Sequence, residues 1–200
     1  MTAVFKWTDV GPLGANLTSE PDRRQVVSLI EKRPRRECRL LFVGVDWHRK
    51  GGDLALRVVE RLVEMGIPSR LTVVGCRAGD VPQSRLVEYV GFIDKSTPSG
   101  EASLVRLLGD SHFLCLPSRA ECSAIVFSEA SAYGLPSIAI RTGGVASAVR
   151  HTGQTASFST RPVSSRAQQH PSRIAWRAMT TFTLRSLSRL TRSAAHGSTG

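Results

Sequence analysis

Between residues 39 and 140 the chain alternates short, continuous apolar runs with longer amphipathic segments, and few folds accept that pattern. LLFVGV (40–45), LTVVG (71–75), YVGFI (89–93), HFLCLP (112–117) and SIAI (137–140) have the length of strands. A strand with one wet face alternates apolar and polar residues, whereas a continuous run predicts a strand covered on both faces. In GGDLALRVVERLVEMG, Leu54, Val58 and Leu62 recur every four residues with Ala55 and Val59 alongside. That spacing predicts one helical face, opened near Asp53 and closed by Gly66. EASLVRLLGD (101–110) predicts another helix, and residues 18–37 a short one ahead of the first strand. The expected class is α/β: a Rossmann-like parallel sheet with helices on both faces.

Two hundred residues suffice for one such domain with a buried core. The expected organisation is a lead-in segment with a short helix over 1–38, the Rossmann-like domain over 39–153, and a Ser/Thr/Arg-rich, disordered tail over 154–200. Within the tail, 174–190 reads as a marginal helix. The net charge of +11 first suggests an anionic partner, but residues 151–200 hold seven arginines and no Lys, Asp or Glu. The rest carries 20 basic against 16 acidic residues, so the basicity belongs to the tail. Such a tail abutting a well-patterned domain also resembles translation in a shifted reading frame. No window holds the ~18 uninterrupted apolar residues of a membrane span. The first residues, MTAVFKWTDVGPLG, lack a basic region followed by an apolar core, so a cytoplasmic location is expected. Cys38, Cys76, Cys115 and Cys122 form no C-x-x-C pair and read as reduced, mostly buried thiols; no zinc site is expected.

The stretch RAECSAIVFSEASAYGLPSIAI carries the most chemistry. Glu121 and Glu129 stand eight residues apart, the first just before a helix expected to start near Cys122 or Ser123, the second about two turns inside it. Eight helical residues give about 12 Å of rise. Two carboxylates hydrolysing one bond stand about 5 to 9.5 Å apart, so this pair suits the two ends of a long ligand better. The free backbone N–H groups of the helix start, around Ser123, Ala124 and Ile125, suit a phosphate between them. On spacing alone, two solvated helix acids remain the commoner reading. Arg49 and Lys50, in the Gly-containing loop WHRKGG, are the best-placed phosphate-binding cations, although an ordinary basic surface loop is commoner. Gly143 and Gly144 follow a strand end and either admit a ligand or make a plain turn. Lys95 could line the same sheet edge, although a solvated loop lysine is the commoner reading; His48 reads as a loop residue and His112 as a strand-edge residue. No GxGxxG follows a strand and no GxxxxGK[ST] occurs, which argues against dinucleotide and Walker-type sites.

Taken together in order and spacing, LLFVGVDWHRKGGDLAL, LTVVG, YVGFIDK and FLCLPSRAECSAIVFSEASAYGLPSIAIRTGGV resemble the C-terminal, donor-binding domain of retaining GT-B glycosyltransferases. The closest match is glycosyltransferase family 4, the "group 1" enzymes, and the likeness runs from about Gly14 to Gly153. The resemblance implies a nucleotide-diphospho-sugar site with Glu121 near the donor sugar, Glu129 on the ribose and Lys50 on the diphosphate. It implies glycosyl transfer with retention and no metal or other cofactor; relatives often work at the cytoplasmic membrane face, a peripheral contact usually made by the N-terminal half. Two local departures are plain. Val45 follows Gly44 where many members have arginine, and Cys122-Ser123-Ala124 replaces a P-F-G-like segment. The family uses two Rossmann-like domains, so the chain is expected to be incomplete alone and to need a separate N-terminal half. The alternative expectation is a non-enzymatic, truncated Rossmann protein whose arginine tail binds nucleic acid or an acidic surface. That tail lacks interleaved aromatics and any specific nucleic-acid motif. A frame-disrupted product without function is the third.

Overall fold

The structure, a computed structural model, describes residues 21–121 and 125–140, and places the backbone of 3–6 and 157–158. Helix α1 (Arg23–Lys32) opens at Asp22, whose carboxylate accepts from the Gln25 N–H while the Gln25 side chain accepts from the Asp22 N–H. It stops at Arg33, extended because Pro34 follows. Strand β2 (Cys38–Val43) leads into helix α2 (Gly52–Glu64) and strand β3 (Ser69–Val74). Strand β4 (Val87–Gly91), helix α3 (Pro98–Asp110) and strand β5 (Phe113–Leu116) follow, then helix α4 (Ile125–Ala132) and strand β6 (Ser137–Ala139).

Five of these strands form the expected parallel sheet, in the order β4-β3-β2-β5-β6. The register of β2 on β3 runs without a break from Cys38↔Ser69 to Val43↔Val74. Right-handed crossovers put α2 on one face and α3 and α4 on the other. Two short strands that the sequence does not signal extend the sheet. Strand β1 (Ala3–Lys6) pairs antiparallel with β6, and β7 (Ser157–Phe158) antiparallel with β1. Four and two residues are too few to carry a period, and the free edge of β6 offers the main-chain groups they need.

Continuous apolar runs are buried as a doubly covered sheet demands: Leu40, Leu41, Phe42, Leu71, Val73, Leu114, Cys115 and Leu116 are all inaccessible to solvent. YVGFI departs from that expectation. Its first three residues end β4, an edge strand that begins two residues earlier, and Tyr89, Val90 and Phe92 are exposed. Helix α2 spans the expected residues but is rotated slightly from the expected face: Ala55, Leu56, Val59 and Leu62 are buried, whereas Leu54 and Val58 are only half-buried. Cys38, Cys76 and Cys115 are buried free thiols, and burial pushes them up to about 12, 11 and 12. Cys122 lies outside the described residues. Among those residues no helix is long and apolar enough to cross a membrane.

Candidate functional site

The chain leaves β2 for β3 and β4 on one side, then returns to β5 on the other. Such a reversal opens a crevice at the C-terminal ends of the two central strands, here between the loops that follow β2 and β5. The β2–α2 loop builds itself. The Asp46 carboxylate accepts from the Arg49 N–H at 2.9 Å, which holds it below the usual carboxylate range, and the Asp46 carbonyl accepts from the Lys50 N–H at 3.0 Å. Trp47 anchors the loop from within, buried against Phe42 with ring centroids 5.4 Å apart. Gly51 then turns the chain into α2 at φ +77°, and a Cβ there would sit 2.2 Å from the Pro117 carbonyl oxygen. Only glycine lets the two loops approach this closely.

Arg119 joins the loops. Its N–H donates to the Arg49 carbonyl at 2.9 Å and Nη1 donates to the His48 carbonyl at 2.6 Å. The guanidinium also grips both oxygens of Asp53, in the first turn of α2, at 2.7 Å each. These bonds hold the Asp53 carboxyl below its usual range. The clamp brings Lys50 and Glu121 together: the Lys50 ammonium donates to Glu121 Oε2, which the Ser118 hydroxyl also approaches at 3.4 Å. The Lys50 stem lies over Gly44, where a Cβ would come within 2.9 Å of Lys50 Cγ. Both charged side chains are nearly covered, at 12% and 5% exposed. Ion pairs as dry as this roughly break even for stability, because desolvation offsets attraction. What the pair does supply is a fixed cation and a fixed carboxylate in the crevice.

Glu129 lies in α4 and is the most deeply buried carboxylate among the described residues, at 1% exposed. Lys95, in the loop after β4, donates to its Oε1 at 2.6 Å while staying 38% exposed, so the solvated loop lysine also has a buried partner. Among the described residues, Oε2 of Glu129 has no hydrogen-bond partner. A buried acceptor left empty costs ~1–3 kcal/mol, which a ligand donor would recover.

The structure thus joins Lys50 to Glu121 and anchors Glu129 through a lysine from a different loop. Arg49 stands on the exposed rim, its Nε 3.5 Å from Asp46 and its Nη1 donating to the Ala120 carbonyl at 3.4 Å. Ile125 begins α4, partly exposed. Ser123, Ala124, Gly143 and Gly144 lie outside the described residues, as does the tail beyond residue 158. His48 is an exposed loop residue. His112 lies away from the crevice: Nδ1 accepts from the Arg39 N–H at 3.0 Å and Nε2 is 2.9 Å from the Pro34 carbonyl, to which it donates in that tautomer. Burial pushes its pKa down to about 4. Sequence reasoning missed Arg119, Asp53 and Ser118, and it placed Lys95 at the sheet edge only as the less common reading. For Lys95 a signal existed: a glutamate among Phe127 and Ala130 of an apolar helix needs a cation, and Lys95 begins a neighbouring crossover. Among the described residues no group of three or more His, Cys, Asp or Glu is assembled to hold a metal.

Comparisons with known proteins match the sequence to a family. The family model described as "Glycosyl transferases group 1" matches residues 28–168. A D-inositol 3-phosphate glycosyltransferase of Thermobifida fusca (strain YX) is 32% identical over 123 residues, covering 56% of this chain and 28% of that protein. A glycogen synthase of Thermus thermophilus is 34% identical over 113 residues, covering 53% and 24%. The chain therefore matches about a quarter of the length of these curated relatives. The solved catalytic domain of starch synthase IV from Arabidopsis thaliana, bound to ADP and acarbose, is similar at 15% identity. The likeness covers 93% of this chain and 45% of that one, with a TM-score of 0.47, too loose to add to the sequence match.

Proposed function

Because the chain belongs to the glycosyl transferases group 1 family, we propose that it is the donor-binding half of a glycosyltransferase. It holds a nucleotide-diphospho-sugar in the β2/β5 crevice for transfer with retention of configuration. The observation that carries this reading is the meeting of Lys50 and Glu121 across the switch point, from loops brought together by Gly51 and Arg119. A diphosphate entering the crevice takes Lys50 as its counter-charge, and Glu121, released, faces the sugar. Glu129 accepts from the ribose hydroxyls through its empty oxygen. Catalysis is then positioning plus stabilisation of the departing diphosphate by Lys50 and the start of α4. In this reading the leaving group needs no metal. The acceptor site and the remaining catalytic groups belong to a second, N-terminal half. The reading places the work in the cytoplasm, with any membrane contact peripheral. The two relatives carry different names, a D-inositol 3-phosphate glycosyltransferase and a glycogen synthase, so sugar transfer is what they lend the proposal. The family match over residues 28–168 favours this reading over the alternative of a non-enzymatic protein with a nucleic-acid-binding tail.

The test is the contribution of the second phosphate. Full-length protein is expected to bind one of UDP, GDP or ADP at least several-fold more tightly than the matching monophosphate, and Lys50→Gln is expected to erase that difference. Equal affinity for mono- and diphosphate in the unaltered protein would refute the assignment.

A further inference from the structure

The loop that presents Lys95 is built to be stiff. The Asp94 carboxylate accepts from both the N–H and the hydroxyl of Ser96, at 3.0 and 2.7 Å. The Asp94 carbonyl accepts from the N–H and the hydroxyl of Thr97, at 3.2 and 2.9 Å, and Thr97 Oγ1 in turn caps α3 through the Gly100 N–H. Lys95 projects from this turn to Glu129 Oε1, a residue 34 positions on in the chain. Its ammonium supplies the counter-charge that so buried a carboxylate requires. It also takes one oxygen and leaves the other, Oε2, buried and without a donor among the described residues. An ion pair at one oxygen biases the carboxylate towards one orientation and so favours one direction for the open lone pairs of the other.

We propose that Lys95 is a positioning residue for recognition of the ligand's ribose. It orients Glu129 so that Oε2 accepts from the vicinal hydroxyls and thereby favours ribonucleotides over nucleotides that lack them. The inference rests on the donor-site reading of Glu129. Its own content is that the choice of sugar depends on a lysine that touches the carboxylate and not the ligand. A neutral residue at 95 would leave Glu129 without its counter-charge and free to turn, and the preference would fall even where the nucleotide still bound.

Titration calorimetry on the full chain with UDP, GDP and ADP, each beside its 2′,3′-dideoxy counterpart, tests this. The unaltered protein is expected to prefer the ribo form of the best nucleotide about tenfold or more, the worth of a hydrogen bond to a charged acceptor. Lys95→Met is expected to bring the ratio down to about twofold or less, while Lys95→Arg retains most of it. An unchanged ratio in folded Lys95→Met overturns the role of Lys95 and leaves the donor site standing. Equal loss of both forms shows a merely structural lysine and also overturns it. Absence of any preference in the unaltered protein overturns the reading of Glu129 together with this one. Should Lys95→Met fail to fold, Lys95→Gln carries the same comparison.

Discussion

Replacing Arg33 with methionine should destabilise the domain by about 3 kcal/mol. Arg33 is 6% exposed, yet its guanidinium has three partners: Nε donates to the Gly109 carbonyl at 3.1 Å, Nη1 to Gly134 at 3.3 Å and Nη2 to Tyr133 at 3.2 Å. Gly109 closes α3, and Tyr133 and Gly134 follow α4. The last carbonyls of a helix have no partner within it and carry the negative end of its dipole. One guanidinium therefore caps two helices and ties both to the end of α1. Burial lowers its pKa to about 10, partly offset by Asp110, so it remains charged at neutral pH. Methionine keeps the bulk and removes every donor. Three lost bonds at ~1 kcal/mol each give the figure. With a urea dependence of ~2 kcal/mol/M, the unfolding midpoint should drop by ~1.5 M. Lysine, a single point of charge, should recover only part of this. A drop below ~0.3 M in Arg33→Met would refute the claim that this residue fastens the α1, α3 and α4 ends, and with them the helix that carries Glu129.

Two further outcomes follow from the same contacts. Glu121→Gln should tighten binding of the preferred nucleoside diphosphate several-fold in calorimetry, because it frees Lys50 and removes a negative charge beside the phosphates; weaker binding would contradict the placement of Lys50. His112 titrates near 4 in the folded chain against about 6.5 when unfolded, so between those values the unfolded chain binds the extra proton. Its contribution is full above about 6.5 and is lost as pH falls to about 4, by up to ~3 kcal/mol. Stability of His112→Gln, measured at pH 7 and pH 5, should fall less steeply than that of the unaltered protein.

Much of the fold is legible in the sequence because burial on both faces leaves an unmistakable mark. LLFV and FLCL have no polar residue to betray an exposed face, and the structure shows none. YVGFI looks the same on paper but lies at the edge of the sheet, since strand order depends on crossovers that an apolar run does not encode. AVFK and SF, which extend the sheet, are too short to signal anything. The site divides along similar lines. Lys50, Glu121 and Glu129 stand out because the surrounding motifs, taken together in order, mark them. Lys95 and Arg119 act through partners 34 and 66 positions away in the chain, a relation that exists only once β4 and β5 have taken their places. Arg119 reads as an ordinary loop arginine until Asp53 and the His48 carbonyl are beside it.

The central claim is that a nucleoside diphosphate occupies the crevice between β2 and β5 with its ribose on Glu129. Calorimetric titration of the 1–200 chain with UDP, GDP and ADP, in parallel with Glu129→Ala, addresses it directly. The account predicts saturable binding of one nucleotide at one site per chain, lost in a Glu129→Ala protein that circular dichroism shows to be folded. No binding to the folded, unaltered chain, or equal binding by Glu129→Ala, would contradict it.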